Sequence, residues 1–293
     1  MQEFIQLTVT GLAIGSIYAL VALGFVLIYT TVDVVNFAQG DFAMIGAYFM
    51  ATCVLSWGMP WWLAFVISVI FAAIAGVVFQ LVLYQPVKNR PRSFVPILIA
   101  TVGASIFIEQ LYLIIYGAVP YQVPGIFSVQ TVNIGGITLY SQYLAIIVIT
   151  ALLVVLLSWF LEKTKTGLQM QATAQDPDTA RLMGIRTAWI AALVFAISAG
   201  TGGLAGILVA PVFNVTTTMG ASIALKAFAA AVVGGFSSVR GSIIGGLIIG
   251  LVETYGATYI SGSYRDAFAF IVLIVFLVFR PYGLFGEKTS DKV

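Results

Sequence analysis

The sequence has no histidine and one cysteine, Cys53, among its 293 residues. A disulfide framework, a histidine-ligated zinc or haem site and histidine acid–base chemistry are therefore excluded. The chain also has no Gly-Lys dipeptide, so it lacks a P-loop that could hold nucleotide phosphates. Because the residues and motifs on which hydrolases, oxidoreductases and ATPases usually rely are missing, we expect no catalytic residue, no cofactor and no metal site. We therefore expect that the protein is not an enzyme.

Charge is scarce as well. Only 8% of the residues are charged, with 13 basic and 11 acidic side chains, whereas 61% are hydrophobic and the mean hydropathy is +1.07. Such dispersed charge does not match a nucleic-acid-binding surface, and the apolar share is far above that of a soluble domain. Since a membrane-crossing helix needs roughly 20 apolar residues, the sequence predicts one all-α integral membrane domain over residues 1–293 with about eight to ten transmembrane helices.

Nine apolar segments are bounded by charges, prolines and glycines, and each is a candidate span. The seventh and the ninth are too short to cross a bilayer unaided, so we expect re-entrant or partly spanning helices there, covered by protein or by a watery cavity. The nine segments are Phe4–Tyr29, Phe37–Trp57, Trp61–Tyr84, Phe94–Tyr116, Gln142–Leu161, Ala188–Ala210, Ser222–Gly235, Gly241–Ile260 and Ala267–Phe279.

Lysine and arginine predict the orientation of these spans. Eleven of the thirteen basic residues fall in alternate loops and the tail, which should be cytoplasmic by the positive-inside rule. Counting back through the first three spans places the N-terminus outside and the C-terminus inside. The eleven residues are Lys88, Arg90, Arg92, Lys163, Lys165, Arg181, Arg186, Arg240, Arg280, Lys288 and Lys292.

The loop at 117–141 carries no charge and should be external. Its alternating stretch at 130–134, the pair Gly135-Gly136 and the following Ile137-Thr138-Leu139-Tyr140 are typical of a β-hairpin. An outward hairpin would suit a docking surface, although an ordered linker with no further role is an equal alternative.

A weak internal repeat, called here the sequence echo, is also present. Asn36 and Gly40 lie at the start of the second span, and Asn214 and Gly220 precede the seventh. On the predicted topology the first span and the sixth run in opposite directions across the membrane. The pattern therefore suggests an inverted repeat, an arrangement that is common in transport proteins.

Four charged residues fall within spans, where an ionisable group is costly and rarely kept without a partner or a task. Lys226 could pair with Glu109 or with Glu253, because all three should lie at similar depth. We favour a structural brace over a proton relay, since few other titratable groups remain. Asp41, in the polar sequence Asn36–Asp41 that includes Gln39, is equally well explained as a helix cap or as a pore or gate residue. The candidate pore or gate residues are Asn36, Gln39, Asp41, Asn214, Thr217 and Gly220.

The cytoplasmic segment 163–186 contains two short predicted helices. The first ends at Gln175, after which Asp176 caps a second helix that starts at Pro177 and stops at Gly184. An amphipathic helix lying on the membrane is the alternative, but the segment has no strong apolar face. We therefore predict a docking element for a partner protein, in which small side chains leave room for that partner: Gly167, Ala172, Ala174 and Ala180.

Several motifs occur in order along nearly the whole chain. They are Asn36–Asp41 with Gly46-Ala47-Tyr48, Tyr84-Gln85-Pro86-Val87, the small residues of the cytoplasmic segment with Gly184-Ile185, Lys226–Gly235, Gly241 with Gly245-Gly246 and Gly250, and Arg280–Gly286. In these motifs the chain resembles the permease subunits of ABC importers for branched-chain amino acids, and among them the shorter, H-type member of the permease pair.

The resemblance implies a type II-like importer permease in the bacterial cytoplasmic membrane. Its partners would be a second related permease, two cytoplasmic ATPase subunits, an external substrate-binding protein and the lipid bilayer, without nucleic acid. The cytoplasmic segment would then be the coupling helix, with Gly167, Ala172, Ala174, Asp176, Ala180, Gly184 and Ile185 seated against an ATPase.

The substrate is less sharply implied. Thr217 stands where family members usually have a proline, so the loop from Asn214 to Gly220 could shape the external entrance differently. Urea, short amides and other small amino-acid-like solutes are alternatives to branched-chain amino acids. A different mechanism, a stand-alone ion-coupled transporter, would use Asp41, Glu109 or Glu253 as coupling sites.

Overall fold

The computed structural model describes residues 2–88, 94–127, 131–134 and 137–286. Within these ranges all nine predicted apolar segments are helical, and seven of the helices are long and apolar enough to cross a membrane. The predicted all-α membrane fold is therefore confirmed. The helices are α1 Gln2–Val32, α2 Gln39–Ala51, α3 Trp61–Phe79, α4 Gln85–Lys88, α5 Phe94–Tyr116, α6 Ser141–Lys163, α7 Lys165–Gln175, α8 Pro177–Leu182, α9 Thr187–Val209, α10 Met219–Gly234, α11 Val239–Tyr259 and α12 Arg265–Phe279. Turns of π-helix, Thr52–Ser56 and Gln80–Tyr84, extend α2 and α3.

Helix α1 is the buried centre of the molecule. It packs closely along α11 because both helices carry glycine at the contact: a Cβ added to Gly250 would overlap the backbone of Gly15. On the other side of the bundle α9 meets α2 in the same way, since a Cβ on Gly206 would overlap the carbonyl of Ala43. Lipid offers no hydrophobic driving force between helices, so these close backbone approaches supply dispersion energy instead.

The outer helices are α3, α5, α6 and α12. They carry many exposed apolar side chains, as expected of surfaces that face lipid acyl chains. Ile114 on α5 and Phe279 on α12 are among the most exposed. The core is thus formed by the small and aliphatic residues of α1, α2, α9, α10 and α11.

Helices α2 and α10 both begin inside the bundle. Gln39, the first residue of α2, contacts Gly24 in the last third of α1 and Ser198 at the middle of α9. Gly40 lies against Gly220 near the start of α10. From this crossing α2 runs towards the end of α5, where Thr52 Oγ1 lies 2.8 Å from Tyr116 Oη. Helix α10 runs the opposite way.

The two halves of the core therefore have the same order of helices, but corresponding helices run in opposite directions. Helix α1 leads through a break into α2, and α9 leads through a break into α10 with the opposite direction, while α1 packs on α11 as α9 packs on α3. This is the geometry of an inverted repeat. Gly40 and Gly220, the two glycines of the sequence echo, lie in contact at its centre.

Two ends of the bundle can be distinguished. The hairpin end carries strands β1 Thr131–Ile134 and β2 Ile137–Tyr140, which pair antiparallel, and a backbone bridge between Tyr121 and Val215. Gln6 near the start of α1 donates to the carbonyl of Thr138 at 2.9 Å. The basic end carries α4, α7 and α8. The predicted turn at Gly135-Gly136 and the residues Gln130, Arg90, Arg92, Lys288 and Lys292 lie outside the described residues.

Candidate functional site

The centre of the bundle holds a polar contact where α2 begins. The side-chain nitrogen of Gln39 donates to the carbonyl of Ser198 at 3.0 Å. The Ser198 hydroxyl lies 2.7 Å from Gln39 Oε1 and 2.9 Å from the carbonyl oxygen of Gly24. Gln39 therefore joins the start of α2 to both α1 and α9 at mid-depth. Ser198 was not predicted, because a lone serine in a glycine-rich span gives no signal of its partner.

Asn36 and Asp41 flank this contact, and both are buried. Asn36 Oδ1 accepts from the amide of Ala38 at 3.2 Å, which fixes the break before α2. Asn36 Nδ2 and Asp41 Oδ2, however, have no hydrogen-bond partner in the part of the chain that the structure describes. Leaving these two buried atoms without partners costs free energy in this conformation.

The structure brings only some of the six candidate pore or gate residues together. The six are Asn36, Gln39, Asp41, Asn214, Thr217 and Gly220. Gly220 reaches the cluster, since a Cβ added there would lie 2.9 Å from Asp41 Oδ1. Asn214 is exposed and Thr217 is half-buried, both in the loop that leads to α10. They therefore lie apart from Asn36 and Gln39, towards the hairpin end.

A charged cluster joins α10, α11 and α12. Lys226 Nζ lies 2.8 Å from Glu253 Oε1 and 2.6 Å from Asp266 Oδ1, and Arg265 Nε lies 2.6 Å from the same Glu253 oxygen. Glu253 is fully buried, so both cations compensate its desolvation. Nζ of Lys226 also lies 5.6 Å from the centre of the Tyr18 ring.

Of the two partners that the sequence offered for Lys226, the structure brings together only Glu253. Glu109 instead lies on α5, one turn after Ser105, and both residues are near Asp41 of α2. Arg265 and Asp266 were assigned to a loop and were missed as members of the cluster. Their adjacency at the start of α12, opposite two charges of the neighbouring spans, was the available signal.

A cavity of about 150 Å³ opens beside the charged cluster. Its lining combines the charged side chains of Lys226, Arg265 and Asp266 with aliphatic side chains of α1, α9 and α10. No group of three or more metal-ligating side chains lies together among the residues that the structure describes. The cavity therefore offers charges and apolar surface to a solute.

The segment at the basic end is fixed by its caps. Thr164 Oγ1 accepts from the amide of Gly167 at 3.0 Å at the start of α7. Asp176 accepts from the amides of Asp178 and Thr179 at 2.9 and 3.1 Å at the start of α8. The hydrogen bonds from Thr179 and Asp178 hold the pKa of the Asp176 carboxyl below its usual value, so the cap stays ionised at neutral pH. Gly184, with φ +85°, ends the helix in the left-handed conformation.

The predicted docking residues of this segment differ in exposure. Gly167 and Ala180 are buried against their own chain, and a Cβ on Gly167 would overlap the carbonyl of Phe160. Asp176 and Gly184 are exposed, and three others are half-buried: Ala172, Ala174 and Ile185.

Two apolar residues that sequence reasoning did not select stand out beside the segment's cap. Leu182 is 88% exposed and Met183 is 79% exposed. They lie at the basic end of the molecule, immediately before Gly184. Lipid acyl chains do not reach this end, so the two side chains form an exposed apolar contact surface.

Comparison with known proteins identifies relatives along nearly the whole chain. A family model described as "Branched-chain amino acid transport system / permease component" matches residues 7–277. The high-affinity branched-chain amino acid transport system permease protein BraD of Pseudomonas aeruginosa is 33% identical, with 99% of this chain and 98% of BraD aligned. The LivH permease protein of Escherichia coli K12 has the same identity and coverage.

A more distant relative is the probable branched-chain amino acid transport permease protein LivH of Methanocaldococcus jannaschii, 28% identical over 93% of this chain and 89% of the relative. Among solved structures, "PsaBC from Streptococcus pneumoniae in complex with Fab" contains a similar chain, with a TM-score of 0.51 and 14% identity over 94% of this chain and 91% of that one. That likeness concerns the fold alone.

Proposed function

The chain belongs to the family of branched-chain amino acid transport system permease components, and from this membership we propose that it carries branched-chain amino acids through the membrane as a subunit of an ATP-driven importer. It is a multi-pass permease of the bacterial cytoplasmic membrane and not itself an enzyme. The observation that carries the proposed substrate is the 33% identity to BraD over 99% of the chain.

The partners follow from the same proposal. A permease without a nucleotide site needs separate ATPase subunits, and we propose two of them, together with a second related permease and an external substrate-binding protein. The basic end, with α7 and α8, would face the cytoplasm, as the positive-inside rule favours. The hairpin end would face the binding protein.

The test is uptake of radiolabelled leucine into proteoliposomes that hold the complete set of partners. Uptake that needs ATP, this chain and every partner supports the proposal. Urea and acetamide are measured in parallel, and uptake of either in place of leucine would replace the substrate class. Ion-driven leucine uptake by the chain alone would overturn the importer mechanism.

We further propose that α7 and α8 transmit closure of the ATPase pair to the spans. The buried Gly167 and Ala180 support this role by holding the segment rigidly on α6 and α9, and the central crossing of α2 and α10 provides the element that moves. Leu182 and Met183 would enter the ATPase surface directly, because they are the most exposed apolar side chains of the segment.

The double variant L182S/M183S is expected to insert normally and to lose about 90% of leucine uptake, equivalent to roughly 1.4 kcal/mol of lost coupling. The two side chains make few contacts with their own chain, so folding should not suffer. D178N, an exposed change on the same short helix, is the control. Unchanged uptake and ATPase activity in the double variant would argue against the docking role.

A further inference from the structure

The cavity beside Lys226 differs from the apolar grooves elsewhere on the molecule, because three of its lining residues are charged. It lies between α1, α10 and α12 and is reached from the hairpin end, where Asp266 is largely exposed. The rest of the lining is mostly apolar. It contains the aromatic Tyr18 and Phe213, the hydroxyl of Ser222 and five aliphatic residues that form the aliphatic wall: Ile14, Ile17, Val209, Met219 and Ile223. Charged groups beside aliphatic surface are the composition of a site for a small amphipathic solute.

The ion pairs of the cluster differ in strength: those of Glu253 are strong, and that of Asp266 is weak. Glu253 is fully buried and touches both cations, so its ion pairs cannot open without exposing an uncompensated charge to the core. Asp266 is 71% exposed at its side chain, so water can replace its contact with Lys226 at small cost. A second carboxylate that arrives from the hairpin end can therefore take the place of Asp266 on Lys226.

The displacement of Asp266 from Lys226 also determines which second group the solute should carry. Once displaced, Asp266 is a free carboxylate beside the entering group, and it can accept hydrogen bonds from an ammonium. The cluster has two cations and two anions, so a solute with one charge of each sign leaves the balance unchanged. A lone anion or a lone cation would not.

We propose that this cavity is a binding site for a zwitterionic α-amino acid, with its carboxylate on Lys226, its ammonium on Asp266 and its side chain against the aliphatic wall. This inference rests on the proposed function and adds to it a site within the permease itself. The volume of about 150 Å³ limits the occupant to a small solute. The aliphatic wall favours leucine, isoleucine or valine over polar amino acids.

Site occupancy can be measured by protection of a thiol. Ser222 lines the cavity and is exposed, whereas the native Cys53 is buried. The variant Ser222→Cys, in the assembled transporter in nanodiscs, is labelled with a maleimide while leucine is titrated. At a leucine concentration of about twice Kd, the labelling rate should fall about threefold, because the free fraction is 1/(1 + [L]/Kd). Ser237→Cys, exposed at the basic end, is the control and should label at a constant rate.

Two further comparisons test the chemistry. Leucinamide, which lacks the carboxylate, and 4-methylpentanoate, which lacks the ammonium, should each protect at least about tenfold less well than leucine, as the loss of one charged hydrogen bond predicts. Adding D266N to Ser222→Cys should remove the preference for leucine over 4-methylpentanoate, and the exposed position of Asp266 keeps the fold intact.

Equal protection by all three compounds, or none by leucine, would overturn the site. The same preparations are assayed for leucine uptake with the binding protein present. Uptake without any protection of Ser222→Cys would leave the proposed function standing and reject this site, whereas absence of uptake for every branched-chain amino acid would reject the function.

Discussion

Replacing Gly40 with alanine is expected to abolish leucine uptake. A Cβ at this position would overlap the carbonyl of Gly220 and lie 2.5 Å from the Cβ of Ala224. The first of these is backbone, which cannot turn aside as a long side chain can, so α2 and α10 must separate at the centre of the bundle. Overpacking of this kind costs about 1–3 kcal/mol, and it falls on the contact that the inverted repeat places at mid-depth.

Gly103→Ala is the matched control. Gly103 lies within α5, and no atom lies within 4 Å of a Cβ built there. The same substitution should stabilise the chain slightly, by up to about 1 kcal/mol, because alanine forms helices better than glycine. Uptake and thermal unfolding in detergent measure both variants. A Gly40→Ala variant that transports like Gly103→Ala would show that α2 and α10 do not need this close contact.

The positions of the apolar helices were predictable from sequence because lipid forces every crossing helix to be long and apolar. Which of them cross was predicted less well: the ninth, expected to be too short, is long enough together with Gly262–Tyr264, and the second, α2, is not among the seven described helices long enough to cross. Charges and prolines then mark the ends, so even the short α10 was found. The depth at which α2 begins was not predictable. Its apolar run starts near Phe37 as expected, but only the contacts of Gln39 with Gly24 and Ser198 place that start inside the bundle.

The charged cluster shows where sequence reasoning ends. Lys226 was recognised as a costly residue that needs a partner. The rise per residue of a helix placed two acids, Glu109 and Glu253, at a similar depth. The choice between them depends on which helices are neighbours, and that is set by glycine contacts such as Gly234 with Gly241, which bring α10 against α11. Arg265 and Asp266 lie between the last two predicted spans, and neither was considered as a partner, although Asp266 binds Lys226 in the structure.

Lys226→Met is expected to destabilise the chain by about 3 kcal/mol, because it leaves the buried Glu253 with one cation instead of two. Glu253→Gln should also be costly, since Arg265 then loses its ion pair and Lys226 keeps only the exposed Asp266. The double variant K226M/E253Q should be more stable than the sum of the single effects predicts, by at least about 1 kcal/mol, as contacting residues couple.

The second double variant, K226M/E109Q, separates a specific pair from a general loss of charge. Within the described residues no contact joins Lys226 to Glu109, which lies beside Asp41 on the other side of α2. Its effects should therefore add within about 0.5 kcal/mol, the behaviour of independent sites. Thermal unfolding of the wild type, the single variants K226M, E253Q and E109Q and the two double variants in one detergent gives both coupling energies. Equal coupling in the two pairs would mean that Lys226 responds to the net charge of the bundle, and the brace formed with Glu253 would then have to be abandoned.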